Sequence, residues 1–403
     1  MKVHRLLFFI LFCSQIALST PSQDLEEVSI YSPNGRFGFN GSIVDITLEN
    51  VQSGPQDKYF SLDNERRDIP TYIPRGLLVF KKDTQWNFDN SEGRGDPKLD
   101  KPVGPELSAV INHRISTYGI ARLTLDSFLE CGVNTSSFNT LKVIFNPDDR
   151  ACRLGIGNAY YERINRPGIG RIELCGAINN QTPLPTARFF DIVSHETGHS
   201  ILDALNAYFY GHRSNSPLAA FHESFADLST FFASLRLAKI HEKDDEVVHL
   251  LSNSNISLCL ALNFDGRGHC LRNSIDVNAS CESHDNSRKF TNFYLKSMRE
   301  VFTHYPQTSD NAYWVVNYFQ KLLVQSVVSV RTVNSLYDMG THVVQQIPLC
   351  GGLADNGINL VSTILIKQLA GERNSLQSCV VNQSAPAPLP NVGNLRLNSH
   401  QYY

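Results

Sequence analysis

Residues 195 to 199 read His-Glu-Thr-Gly-His. This short run constrains the fold more than any other part of the chain. On a helix, positions i and i+4 share a face, so His195 and His199 can address one metal ion together. Phe190, Val193, Ile201, Leu202 and Leu205 surround the motif, which calls for a buried helix with a partner packed against it. Two imidazoles leave a catalytic zinc one protein ligand short. That ligand has to come from another element.

Residues 222 to 227 read His-Glu-Ser-Phe-Ala-Asp and lie inside a second apolar run, Leu218 to Phe232. Unpaired carboxylates in such a run are costly, so Glu223 is expected to be the third metal ligand. Asp227 lies one turn later on the same face, where it can accept the second N–H of a ligand histidine and fix its tautomer. Glu196, next to the first ligand, can take a proton from water at the metal and return it to a leaving amine. The competing reading is a surface helix with scattered acids and a coincidental HExxH. His222, beside Glu223, is read as structural or incidental.

The helices that carry these residues have their own signals. Ser216 and Pro217 form an N-cap and first-turn pair, predicting a helix from 217 to about 239. The HExxH helix is expected to start near Ala187 and to carry the stretch from Phe190 to about Tyr208. Another helix is expected from Pro105 to about Leu129, where Val110, Ile111, Ile115, Ile120, Leu123 and Phe128 make a stripe. Alternation of Val44, Ile46 and Leu48 with polar neighbours predicts a strand. Shorter strands are expected at 76–80, 141–145 and 171–174, and loops at 87–104 and 176–186. Residues 287 to 380 read mostly helical.

Taken together, these residues resemble a thermolysin-like metallopeptidase of the gluzincin clan, with HExxH on one helix and ExxxD on the next. His195, Glu196, His199, Glu223 and Asp227 match that pattern position by position. The resemblance implies an α+β, two-lobed fold, with a β-rich first lobe and a helical second lobe. It further implies that Asn158 and Ala159, in Asn-Ala-Tyr-Tyr, lie on an edge strand and bind substrate backbone. His284, in His-Asp-Asn-Ser, is implied as the oxyanion histidine, and Tyr210 as the oxyanion tyrosine, with Tyr208 as the alternative. Arg267 and Arg272 are candidates for a substrate-binding arginine. The acidic partner of His284 is not evident in the sequence, and neither are the calcium sites typical of the family. One Zn2+ per chain and a peptide or protein substrate are the expected cofactor and partner. A catalytically silent zinc-bearing binding protein and a zinc hydrolase of a non-peptide substrate are the rival functions.

Composition narrows the setting. A formal net charge of -3 over 403 residues, with no Lys/Arg block, argues against a nucleic-acid partner. Residues 1–19 read as an export signal, with a basic start, an apolar run too short for a stable membrane anchor, and small residues Ala17 and Ser19. A secreted monomer is expected, or a periplasmic protein in a bacterium. Cys13 would leave with that signal. Cys131, Cys152, Cys175, Cys259, Cys270, Cys281, Cys350 and Cys379 remain, enough for up to four disulfides. Glycosylation sequons stand at Asn40, Asn134, Asn180, Asn255, Asn278 and Asn382. The expected organisation is a β-rich region over 20–104, the rest of the first lobe over 105–208, a helical lobe over 209–383 and a flexible tail over 384–403.

Overall fold

The computed structural model describes residues 25–52, 56–62, 78, 105–130, 135–148, 158–175, 185–254, 256, 258–261, 269–275, 280–351, 353 and 355–379. The signal, the tail, the 76–80 strand apart from Leu78, the loops expected at 87–104 and 176–184, and Arg267 lie outside the described residues. So do all the sequons except Asn40, which is exposed.

The architecture is α+β, with strands in the first half and helices in the second, as the residue patterning requires. Strands β1 (Leu25–Tyr31) and β2 (Ile43–Glu49) form an antiparallel hairpin. Its register pairs Val28 with Ile46 and Ile30 with Val44. Val28, Ile30, Ile46 and Leu48 are buried, so the predicted alternation does face a core. A second sheet has the order β3 (Phe60–Leu62), β4 (Lys142–Asp148), β6 (Ile169–Cys175), β5 (Ala159–Arg163). The strand carrying Ala159 is therefore at an edge, antiparallel to β6. The expected strands at 141–145 and 171–174 are present, each a little longer than the apolar residues alone indicate.

Helix α1 (Pro105–Glu130) packs on β1 and on the helices that follow. The HExxH segment forms α2 (Phe190–Leu205). It stops short of the expected Tyr208 because Asn206 turns to extended backbone and Ala207–Phe209 forms a 3-10 turn. Thr186–Arg188 forms another 3-10 turn ahead of the helix, so Ala187 is not part of α2. Helix α3 (Pro217–Ile240) begins as expected: the Ser216 hydroxyl accepts from the Ala219 N–H, and Pro217 occupies the first turn. Most of its side chains are buried, which marks a helix enclosed by others rather than lying on the surface. Phe225 stacks on Phe128 of α1 at 5.5 Å between ring centroids, and Phe221 meets Phe290 edge-on.

After α4 (Asp244–Ser252) comes a short hairpin, β7 (Cys259–Leu260) and β8 (Arg272–Asn273), then helices α5 (Ser283–Thr303), α6 (Ser309–Ser329), α7 (Leu336–Cys350), α8 (Asp355–Gly371) and α9 (Arg373–Gln377). This fits the helical reading of 287 to 380. Among the described residues no helix is long and apolar enough to cross a membrane.

Disulfides tie this part down. Cys259–Cys270 closes the β7–β8 loop, and Cys281–Cys379 joins the residues ahead of α5 to those after α9. Cys175 is disulfide-bonded as well. Cys350 is a free, buried thiol, so the described cysteines do not all pair. The Cys281–Cys379 link spans 98 residues, a long loop whose closure removes much unfolded-chain entropy. Cys379→Ser is expected to lower unfolding free energy by about 2–4 kcal/mol. Urea denaturation followed by circular dichroism measures this; an unchanged midpoint would refute it.

Candidate metal centre

Helices α2 and α3 cross very closely, and one residue allows it. A Cβ added at Gly198 would lie 2.8 Å from the Ala226 Cα and 2.8 Å from the Ser229 side chain. With only hydrogen at this position, the two backbones approach near the functional side chains. The crossing brings Glu223 of α3 against both histidines of α2. Its Oε2 lies 3.2 Å from His195 Nε2 and its Oε1 lies 3.6 Å from His199 Nε2. His195 turns its other nitrogen to Asp227, with Nδ1 at 3.0 Å from Oδ1. The spacing in the sequence places Asp227 within reach of such a contact.

His195, Glu196 and His199 are all buried and offer ligand atoms within 4.8 Å of one another. His199, His222 and Glu223 make a second such group. Imidazole and carboxylate donors in buried surroundings fit a zinc ion.

Helix α2 is held at both ends. At its start, buried Asp191 accepts from Arg36 at 3.2 and 3.4 Å and from the Ala261 N–H at 2.9 Å. Arg36 also donates to the Ser234 hydroxyl at 2.7 Å and to the Cys259 carbonyl at 2.6 Å. A carboxylate in the first turn also suits the helix dipole. Toward the far end, buried Asp203 accepts from the Tyr161 hydroxyl and the Gly168 N–H, both at 2.8 Å, and pairs with Arg163. This pins the helix to the sheet edge.

Two residues join the cluster from outside α2 and α3. Arg272, on β8, donates to Glu223 Oε2 at 3.2 Å and to Asp227 Oδ1 at 3.0 Å, and its Nη2 lies 3.2 Å from His195 Nε2. His284, in the first turn of α5, has Nε2 at 3.5 Å from Glu223 Oε2. Its Nδ1 is 2.8 Å from Glu282 Oε1. Glu282 is the acidic partner that sequence reading missed. Its other oxygen accepts the His284 N–H at 2.9 Å and the Asp285 N–H at 3.3 Å, capping α5. Glu is an uncommon N-cap, so only a carboxylate two residues ahead of the histidine could have signalled it.

The remaining sequence candidates take hydrogen-bond partners outside the cluster. Asn158 and Ala159 are buried at the start of β5. The Asn158 side-chain oxygen accepts its neighbour's N–H, from Ala159, at 2.8 Å, and its carbonyl accepts from Cys175 N–H at 2.9 Å. The Tyr210 hydroxyl accepts the Arg163 N–H at 2.9 Å, and the Tyr210 ring lies edge-on to His222 at 6.1 Å. The Tyr208 hydroxyl accepts the Val333 N–H at 3.4 Å, which ties it to the chain after α6.

Burial and close charges set the electrostatics. Burial pushes the Glu196 carboxyl up to about 7, with Glu223 adding to the rise and His195 opposing it. Burial and Arg272 both disfavour a charged His195, but its bonds to Asp227 and Glu223 outweigh them and hold it at about 9. Burial lowers His199 well below the usual histidine range, and His222 beside it adds to this. Burial would raise Glu223, but His284, His199 and His195 together hold it well below the usual carboxylate range.

No protein family matches the chain, and neither does any curated protein. Among solved structures the chain is similar to the precursor of protealysin, a metalloproteinase from Serratia proteamaculans. Sequence identity is 12% and the TM-score 0.43, over 68% of this chain and 82% of that one. At that distance the side chains themselves have to carry the chemistry.

Two outcomes follow from this geometry. Gly198→Ala is expected to force α2 and α3 apart and cost about 1–3 kcal/mol, read as a lower melting temperature. Burial would raise the Glu282 carboxyl, but its bond to His284, with the His284 charge and Ser283, brings it down to about 2. A depressed carboxylate stabilises above its unfolded value, and that share is lost as pH falls from about 4.5 to about 2. Melting temperature against pH should therefore fall less steeply over this window in Glu282→Gln; parallel curves would contradict it.

Proposed function

We propose that the protein is a secreted, zinc-dependent endopeptidase with a thermolysin-like site. One observation carries the reading: the carboxylate of Glu223 lies 3.2 Å from His195 and 3.6 Å from His199, with Glu196 buried in the same cluster. His195, His199 and Glu223 would hold the ion, and Asp227 would fix the tautomer of His195. When bound, zinc polarises a scissile carbonyl and lowers the pKa of water.

The chain's own groups do the rest. Glu196 accepts the proton of the attacking water and passes it to the leaving amine. A carboxyl pushed up to about 7 suits both directions of transfer near neutral pH. His284, oriented through its Nδ1 by Glu282, directs Nε2–H to the developing oxyanion. Tyr210, whose hydroxyl accepts the Arg163 N–H, would use its own proton as a second donor to the oxyanion. Arg272 orients substrate carbonyls, held in place by Glu223 and Asp227. A peptide lies extended along edge strand β5, beside Asn158 and Ala159, in the backbone-pairing mode open to a sheet edge. The lobes divide near residue 208, and the substrate cleft runs between them.

The test is cleavage of a complex peptide mixture, with new termini read by mass spectrometry. Wild type should generate them. Glu196→Gln should retain one zinc per chain and lose turnover by at least about a hundredfold. Glu223→Ala should lose the zinc. Full activity in Glu223→Ala would sink the ligand assignment. Zinc without cleavage in the wild type would favour the silent binding protein or the non-peptide hydrolase.

A further inference from the structure

His222 has no part in the reaction just described, yet it stands in the metal cluster. It precedes Glu223 on α3, and its ring lies flat on that of His199, at 4.2 Å between centroids and 8° between planes. A nitrogen of His222, a nitrogen of His199 and a carboxylate oxygen of Glu223 all lie within 4.8 Å of one another. This group shares His199 with the His195, Glu196 and His199 group. Among the described residues, buried His199 Nδ1 and His222 Nε2 have no hydrogen-bond partner. For His222 Nε2 this costs about 1–3 kcal/mol, which a metal bond can offset; His199 faces Glu223 with its other nitrogen.

We infer that His222 is an exchangeable fourth protein ligand of the metal, an inference that rests on the zinc reading above. Parallel rings aim their lone pairs side by side, so the stacked arrangement leaves the ion to His195, His199 and Glu223. Rotation about the two side-chain torsions of His222 would tilt its ring edge toward the same point. The nitrogen lone pair then forms one coordinate bond and one water leaves; no electron changes hands and no proton is consumed. Four protein ligands make the closed sphere of a structural zinc, whereas three leave the open position that catalysis needs. His222 thereby gives the centre a latent form and a working form without any external inhibitor.

Cobalt(II) in place of zinc reads the coordination sphere directly, with no dependence on turnover. His222→Cys should show a thiolate-to-cobalt charge-transfer band in the near ultraviolet, since the residue at this position reaches the ion. His222→Phe keeps a flat ring against His199 but has no lone pair. It should weaken cobalt binding by about tenfold, measured by chelator competition, and should change the visible d–d spectrum. Circular dichroism of the metal-free variants checks their folds. A missing charge-transfer band in folded His222→Cys, together with a His222→Phe spectrum and affinity equal to wild type, would overturn the inference and leave the three-ligand site standing. Wild-type protein that takes up no cobalt would instead remove the zinc reading, and this inference with it.

Discussion

The close crossing of α2 and α3 is the constraint on which the centre depends. His195 and His199 belong to one helix, Glu223 and Asp227 to the other, and neither helix holds the whole cluster. Gly198 lets the backbones meet, with the Ala226 Cα only 2.8 Å from where a Cβ would stand. Side chains as short as Asp227 can then bridge the gap to His195 Nδ1 at 3.0 Å. Burial makes the arrangement demanding. A carboxylate or imidazolium taken out of water needs partners at hydrogen-bond distance, and removing one partner leaves an uncompensated charge. The cluster meets that demand by sharing: Glu223 serves His195, His199, Arg272 and His284 together.

Precision at the crossing is supported from further away. Asp191 and Asp203 anchor α2 to the loop of Arg36 and to the β5–β6 hairpin respectively. Both acids are buried and are satisfied by several donors, the condition under which a buried ion pair holds its geometry. Arg36 also reaches the Cys259 carbonyl, so the loop that presents Arg272 is fixed to the start of the HExxH helix. The Cys259–Cys270 bond closes that loop. On the other side, Cys281–Cys379 restrains the residues ahead of α5, where Glu282 caps the helix and orients His284 with the same carboxylate. Disulfides and buried ion pairs thus set the outer parts of the cluster, while α2 and α3 set its centre.

Much of this was legible in the residues. The HExxH spacing fixed which side chains share a helical face, because 3.6 residues per turn leaves no other choice for i and i+4. Ser216 and Pro217 marked the start of α3 because capping is a local interaction. The alternation in β2 named its buried face for the same reason. The ends of elements were less clear: α2 stops at Leu205 because Asn206 leaves helical geometry and sends its side-chain amide to the Val327 carbonyl at 2.8 Å. That contact spans 121 residues, beyond the reach of any local pattern.

The sequence by itself determined which residues share a helical face, the helices that bear them and the α+β order of elements, since each depends on spacing within a few residues. Only the tertiary structure decided which groups meet across those helices. It paired Glu282 with His284, brought Arg272 onto Glu223 and Asp227, and laid His222 on His199. It also left Cys350 unpaired, where an even count of cysteines had allowed four bonds. These outcomes depend on how closely two helices can pack and on where a closed loop returns the chain. Distances of that kind arise only when distant segments are folded against one another.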